Sequence, residues 1–338
     1  MTARRPTIAD VARHAGVSKG AVSFALNGRA GVSNETRQRI LDAAAELGWS
    51  PSHQARALST RRAFSLGLVV ARDPDLLGAD PFFPTFIAGV EKVLAERDQM
   101  LVLQVVTSPA AEEAGYRRLA RDGRVDGVFV IDLRKADPRI ALLAEIGLPA
   151  VTLNRPDVPS PFPAVVLDDR PGIAAAVAHL AGLGHSAIAH VTGPDVFLHA
   201  IARREAFQQA MADAGLPPGQ VVPGDFTAAG GRAATHRLLT GEHPPTAIVY
   251  ANDVMALSAI AVAAELGIRI PEDVSITGFD DTTLAAYVHP ALTTVRADAR
   301  SWGEVAATTL LALIDGHEVA DTTLPSAEMV LRRSTSAP

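Results

Sequence analysis

There is no cysteine among the 338 residues. That excludes disulfides, thiol catalysis and any Cys-ligated zinc, and it fits a reducing compartment. Lysine is scarce, occurring only at positions 19, 92 and 135, so the arginine excess reads as composition bias and not as a mark of bidentate recognition. No stretch approaches the roughly 18 apolar residues of a membrane span. The N-terminus runs from Arg4 and Arg5 into Asp10, Arg13 and His14 without an apolar segment, so no secretory signal is expected and the protein is read as soluble and cytoplasmic. The histidines are scattered; His185 and His190 lack a third ligand nearby, so no metal is expected. GRAG and AAGG fit neither a P-loop nor a dinucleotide fingerprint, and no cofactor is expected. Asp168/Asp169 and Asp280/Asp281 are strand neighbours that point opposite ways and do not flank one bond, so the chain is not read as an enzyme.

Charge is unevenly placed. Residues 1–62 carry ten basic and four acidic side chains, a net +6 in a chain whose total is −6, which leaves −12 on the remainder. One small end therefore has the field expected of a module that meets phosphates. Its sequence, TIADVARHAGVSKGAVSFALNG at 7–28, reads as two short helices around a tight turn. Thr7 and Asp10 form a capping box, Ile8, Val11 and Ala12 recur at helical spacing, and Gly16 stops the helix. Ser18 is placed to cap a second helix with Ala21, Val22, Ala25 and Leu26 inward and Lys19, Gly20, Ser23 and Phe24 on or near the outer face. A third helix is expected over 34–47, with Gly48 as its stop. The alternatives are a helix-turn-helix head for the DNA major groove and a plain three-helix bundle; the charge favours the first. Phe24 either reads bases or packs inside.

A short helix over 52–59 is expected to follow, marginal in water unless DNA or a partner copy supports it. Leu58 on that helix would be a minor-groove wedge or would pack on the larger domain. From Leu66 onward the pattern alternates. Apolar runs at 66–71, 100–106, 125–131, 149–154, 164–168, 187–193, 246–253 and 275–281 read as buried parallel strands. Helical periodicity at 84–97, 110–122, 138–146, 171–183, 200–214, 229–239, 254–266 and 301–315 separates them. The fold class expected is an all-α helix-turn-helix head plus an α/β core of two doubly wound parallel sheets. Ligands in such sheets sit beyond the strand C-termini, where this chain places Asn154, Asp168, Asn252, Asp253, Asp280 and Asp281.

Several stretches in order, TIADVARHAGVS, the segment ending in ALNG, VSNETRQRILDAAAELGWSPS, ARAL, DPFFPTFIAGVE, YANDVMALSAI, VSITGFDDT and HPALTTV, resemble the lactose-repressor/galactose-repressor family of bacterial transcription regulators across essentially the whole chain. The resemblance implies a homodimer that binds an inverted-repeat double-stranded operator. It also implies a periplasmic-binding-protein-like core whose two subdomains bind a small effector, most often a sugar, and a location at the nucleoid. The head would span 1–50, the hinge 51–62 and the core 63–338, with one subdomain near 63–165 and 296–325 and the other near 166–295 and 326–338. Lys19, Gly20 and Phe24 fall at the family's base-reading positions, Ala21 and Ser23 at positions of phosphate contact, Asn27, which closes the segment, is a further expected DNA contact, and Leu58 matches the wedge. Phe24 stands where many members have Arg and Ala21 where many have Thr, so operator preference does not carry over.

In the core, Arg203, Asn252 and Asp280 match the family's effector contacts. Asn154 sits at a further polar position, Phe83 and Phe226 where pocket walls are expected, and Asp168 at the crossing between subdomains. Asn252 and Asp280 can equally be helix caps, and either Phe plain core. The effector is a mono- or disaccharide by this reading, with a nucleobase, nucleoside or sugar phosphate as the alternative, acting as inducer or corepressor. A secreted sugar-binding protein would share the core but has no use for residues 1–60.

Overall fold

The computed structural model describes residues 6–26, 31–49, 60 and 62–338. The expected hinge helix at 52–59 with Leu58, and Asn27, lie outside the described residues. The chain divides into two compact units, Met1–Phe64 and Ser65–Pro338.

Local chemistry builds the first unit. In α1 (Ile8–Ala15), Asp10 accepts from the Thr7 backbone N–H at 2.9 Å and from the Thr7 hydroxyl at 2.7 Å, and Gly16 ends the helix at φ +65°. Ser18 Oγ accepts from Ala21 N at 3.1 Å at the start of α2 (Lys19–Leu26), and Ser33 caps α3 (Asn34–Glu46). Val11, Ala12, Ala15, Val22, Ala25, Ile40, Ala43 and Ala44 are the core; the alanines let three short helices approach closely. Ala21 and Leu26, expected inward, are only half-buried, because Val22 and Ala25 fill the seam.

The second unit is built on two parallel sheets. One has the order β11-β5-β4-β3-β1-β2, from β1 (Ser65–Ala71), β2 (Met100–Val106), β3 (Gly127–Val130), β4 (Ala150–Leu153), β5 (Ala164–Val166) and β11 (Thr322–Thr323). The other has the order β7-β6-β8-β9, from β6 (Ile188–Thr192), β7 (Gln220–Pro223), β8 (Ala247–Tyr250) and β9 (Ser275–Thr277). An antiparallel pair joins β10 (Thr294–Arg296) to β12 (Glu328–Val330). The helices are α4 (Pro74–Ala79), α5 (Phe82–Glu96), α6 (Pro109–Arg121), α7 (Pro138–Glu145), α8 (Arg170–Gly182), α9 (Leu198–Asp213), α10 (Ala228–Leu239), α11 (Asp253–Leu266) and α12 (Ala299–Ile314).

Several strands end sooner than their apolar runs. The segments expected at 164–168, 246–253 and 275–281 stop at Val166, Tyr250 and Thr277, because the residues beyond them leave the ladder. Asn252 turns to cap α11, and Asp280 and Asp281 take φ values of +112° and +52°. Short elements without a hydrophobic run, α4, β7, β10 and β11, are not marked by the pattern.

Helices α5 and α12 cross at paired glycines. A Cβ on Gly89 would lie 2.1 Å from the Arg300 carbonyl oxygen, and one on Gly303 2.2 Å from that of Phe86. Backbone meets backbone there, so neither neighbour can yield by changing a rotamer. Gly89→Ala or Gly303→Ala should cost about 1–3 kcal/mol. Gly182→Ala, where the added methyl meets open space inside a helix, should instead stabilise by about 0.4–1 kcal/mol. Calorimetric unfolding of the three variants measures this; equal midpoints would contradict the close crossing.

Candidate DNA-reading helix and ligand cavity

In the first unit, α2 presents an exposed strip. Lys19 and Gly20 are exposed, Ala21 and Ser23 half-buried, and Phe24 is 42% exposed, an unusual position for a phenyl ring that no apolar seam requires. Gly31 lies beside that ring, where a Cβ would stand 3.4 Å from Phe24 Cδ2. Phe24 is therefore not part of the helical core.

In the second unit a cavity of about 850 Å³ collects residues that lie just past the strand C-termini. Arg72 follows β1, Asp132 β3, Asn154 β4, Asp168 β5, Phe226 β7, Asn252 β8 and Asp280 β9. All seven residues expected at an effector site, Phe83, Asn154, Asp168, Arg203, Phe226, Asn252 and Asp280, line this one space. Their protein partners differ from what a simple ligand contact suggests.

The Arg203 guanidinium is engaged by the protein. Nε and Nη2 both reach Asp169 Oδ2 at 2.8 Å, Nη1 donates to the Ala251 carbonyl at 2.6 Å, and the group lies 3.7 Å from the Phe279 ring centroid. Asn252 caps α11 through Oδ1 to Met255 N at 3.0 Å and donates Nδ2 to the Phe226 carbonyl at 3.0 Å; the cap reading holds at this residue. That bond fixes Phe226, whose backbone is left-handed at φ +66°. Its ring occupies the space above Gly193, where a Cβ would come within 2.0 Å of it. Asn154 is likewise left-handed, and its Oδ1 accepts from Leu167 N at 2.8 Å, tying the ends of β4 and β5. Asp168 is paired bidentately with Arg170, which holds its carboxyl below the ordinary range. Phe83 is 1% exposed and reaches the cavity from the main core; its neighbour Phe82 is half-buried and meets Trp302 edge-on at 6.2 Å.

Asp280 has no side-chain partner among the described residues. Burial raises its carboxyl well above the usual range, with Arg203 opposing that shift, and Asp80 is raised by burial too. The backbone carrying Asp280 is secured by Asp253, which accepts from Thr294 Oγ1 at 2.5 Å and Thr282 N at 2.7 Å, while Asp281 pairs with Arg296 and Arg332. Sequence reading missed Arg72, Asp80, Asp132 and His199. Arg72 pairs with Asp132 at 2.9 Å; burial pushes the Asp132 carboxyl up, but the guanidinium outweighs it and the net direction is down. The rule that found Asn154, the first polar residue past a strand, finds Arg72 and Asp132 when applied to β1 and β3.

Comparison with known proteins agrees with this arrangement. Residues 7–52 match the model for bacterial regulatory proteins of the lacI family, and residues 177–335 match a periplasmic binding protein-like domain. The chain is 36% identical to the HTH-type transcriptional regulator CelR of Thermobifida fusca, over 93% of each chain. The chain belongs to the lacI family. As a lacI-family protein it is a helix-turn-helix transcriptional regulator with an effector-binding α/β core. A lac repressor dimer bound to operator and the anti-inducer ONPF superposes with a TM-score of 0.86 at 29% identity, covering 99% of this chain and 100% of that one. A complex of CelR with cellobiose superposes at 0.76 with 33% identity, covering 98% and 100%.

The Arg203–Asp169 pair makes this lacI-family site costly to dismantle. Arg203→Ala leaves buried carboxylates uncompensated and should lower stability by about 3–5 kcal/mol. Replacing both partners, Arg203→Met with Asp169→Leu, should recover most of that loss. Urea unfolding of the single and double variants separates the two; a single variant as stable as the parent would contradict the pairing.

Proposed function

We propose that this regulator is a homodimeric repressor of an inverted-repeat operator whose affinity for DNA is set by a neutral saccharide bound in the second unit. The observation that carries the reading is the cavity: its volume lies in the small-molecule range, and its lining includes the aromatic rings of Phe82, Phe226 and Trp302. Buried carboxyls and amides line the same space, groups that suit adjacent hydroxyls able both to donate and to accept. The solved complex of the similar CelR with cellobiose supports a disaccharide. For the head, the exposed strip of Lys19, Gly20 and Phe24 on α2 supports major-groove reading, Phe24 by apolar contact with a thymine methyl. A two-fold symmetric dimer requires a two-fold symmetric site.

Selection of sites from a randomised duplex pool should return an inverted repeat for the full chain and nothing for a chain lacking residues 1–62. Phe24→Arg should shift one position of each half-site toward guanine and steepen the salt dependence. An identical selected sequence from a folded Phe24→Arg protein would remove Phe24 from base reading. A truncated core that still selected a specific duplex would overturn the assignment of the head.

A further inference from the structure

The segment between β6 and α9 builds a feature that the carboxyls of the cavity do not explain. The rings of Phe197, His199 and Phe226 stack nearly parallel with the imidazole in the middle, centroids 5.6 and 5.4 Å apart at 17° and 18°. The Arg72 guanidinium lies 4.1 Å from the Phe197 centroid. The stack is held by backbone as well. Leu198 N donates to Leu133 O at 2.8 Å and Lys135 N to Val196 O at 3.3 Å, so residues 133–135 pin the strip that carries Phe197 and His199. Phe226 is fixed on the other side by Asn252 and by the bare backbone of Gly193.

An imidazole stacked against two phenyl rings is held by them and keeps its nitrogens for polar contact. The ring nitrogens of His199 have no hydrogen-bond partner among the described residues, and the residue lines the cavity. Burial pushes the ring down to about 3 despite the pull of Asp132 upward, so it is neutral at physiological pH. A neutral imidazole offers one donor and one acceptor, the complement of a hydroxyl group. A phosphate or carboxylate instead calls for donors alone. The charged groups that act on His199 point the same way: they are Asp132 and the guanidiniums of Arg72 and Arg203, both of which are already paired with carboxylates.

We propose that His199 is a specificity-determining contact, its stacked imidazole both donating to and accepting from a hydroxyl of a neutral saccharide, whereas a phosphate in that place could use only the N–H. This rests on the saccharide reading above. The test uses the full chain with cellobiose, maltose and lactose and the 6′-phosphate of each, in calorimetric titrations. The parent should bind at least one neutral disaccharide at least about tenfold more tightly than its phosphate. His199→Phe keeps three stacked rings and removes both nitrogens; it should weaken that disaccharide about tenfold with the ligand-free melting temperature unchanged, and His199→Gln should recover part of the loss. A His199→Phe protein that binds as tightly as the parent overturns this assignment and leaves the saccharide reading standing. Equal affinity of the parent for sugar and phosphate overturns it as well, without need of a variant. A parent that binds none of the neutral sugars overturns the saccharide reading and this contact with it.

Discussion

One guanidinium holds the floor of the cavity together. Arg203, on α9, reaches Asp169 at the start of α8, the Ala251 carbonyl at the end of β8 and the face of Phe279 beyond β9, so four segments converge on a single planar cation. Each of those segments also delivers a residue to the cavity: Asp168 precedes Asp169, Asn252 follows Ala251, and Asp280 follows Phe279. The positions of the polar groups are thereby coupled. A lysine could not replace Arg203, because a point charge on a flexible stem lacks the fork that meets carboxylate and carbonyl at once.

Around that floor the chain accepts unfavourable backbone geometry. Asn154, Phe226, Asp280 and Asp281 all have positive φ without being glycine. Such conformations persist only where the surroundings over-determine them. Here the surroundings are visible: Asn154 bonds to Leu167 N, Phe226 is held through its carbonyl by Asn252, and the Asp280 turn is secured by Asp253 and by the Asp281 pairs. Strand ends bent in this way aim side chains into the space between the sheets, a pre-organised arrangement that reduces what a ligand must order on binding.

How much of this could be read from the sequence depended on how local each cause is. The helix-turn-helix was legible because Thr7, Asp10, Gly16 and Ser18 act on their immediate neighbours, and the parallel strands because burial on both faces leaves unbroken apolar runs. The half-exposed β7 and the short pairing of β10 with β12 leave no such run. In the cavity, strand-end polarity marked Asn154, Asp168, Asn252 and Asp280. It could not reveal that Arg203 is held by Asp169, since that pairing joins residues 34 positions apart. Nor could it mark His199, which sits in the first turn of α9 and gains its setting only from rings at 197 and 226.

The central claim is that the ligand cavity and the DNA-reading head are two sites of one equilibrium. If so, each ligand must change the affinity for the other by the same factor. Cellobiose, or whichever disaccharide binds, should be titrated calorimetrically into the full chain free and saturated with its selected operator, alongside operator titrations with and without the sugar. The account predicts that the two ratios of dissociation constants agree and differ from one by about fivefold or more. Identical sugar affinity in the free and operator-bound protein would contradict it.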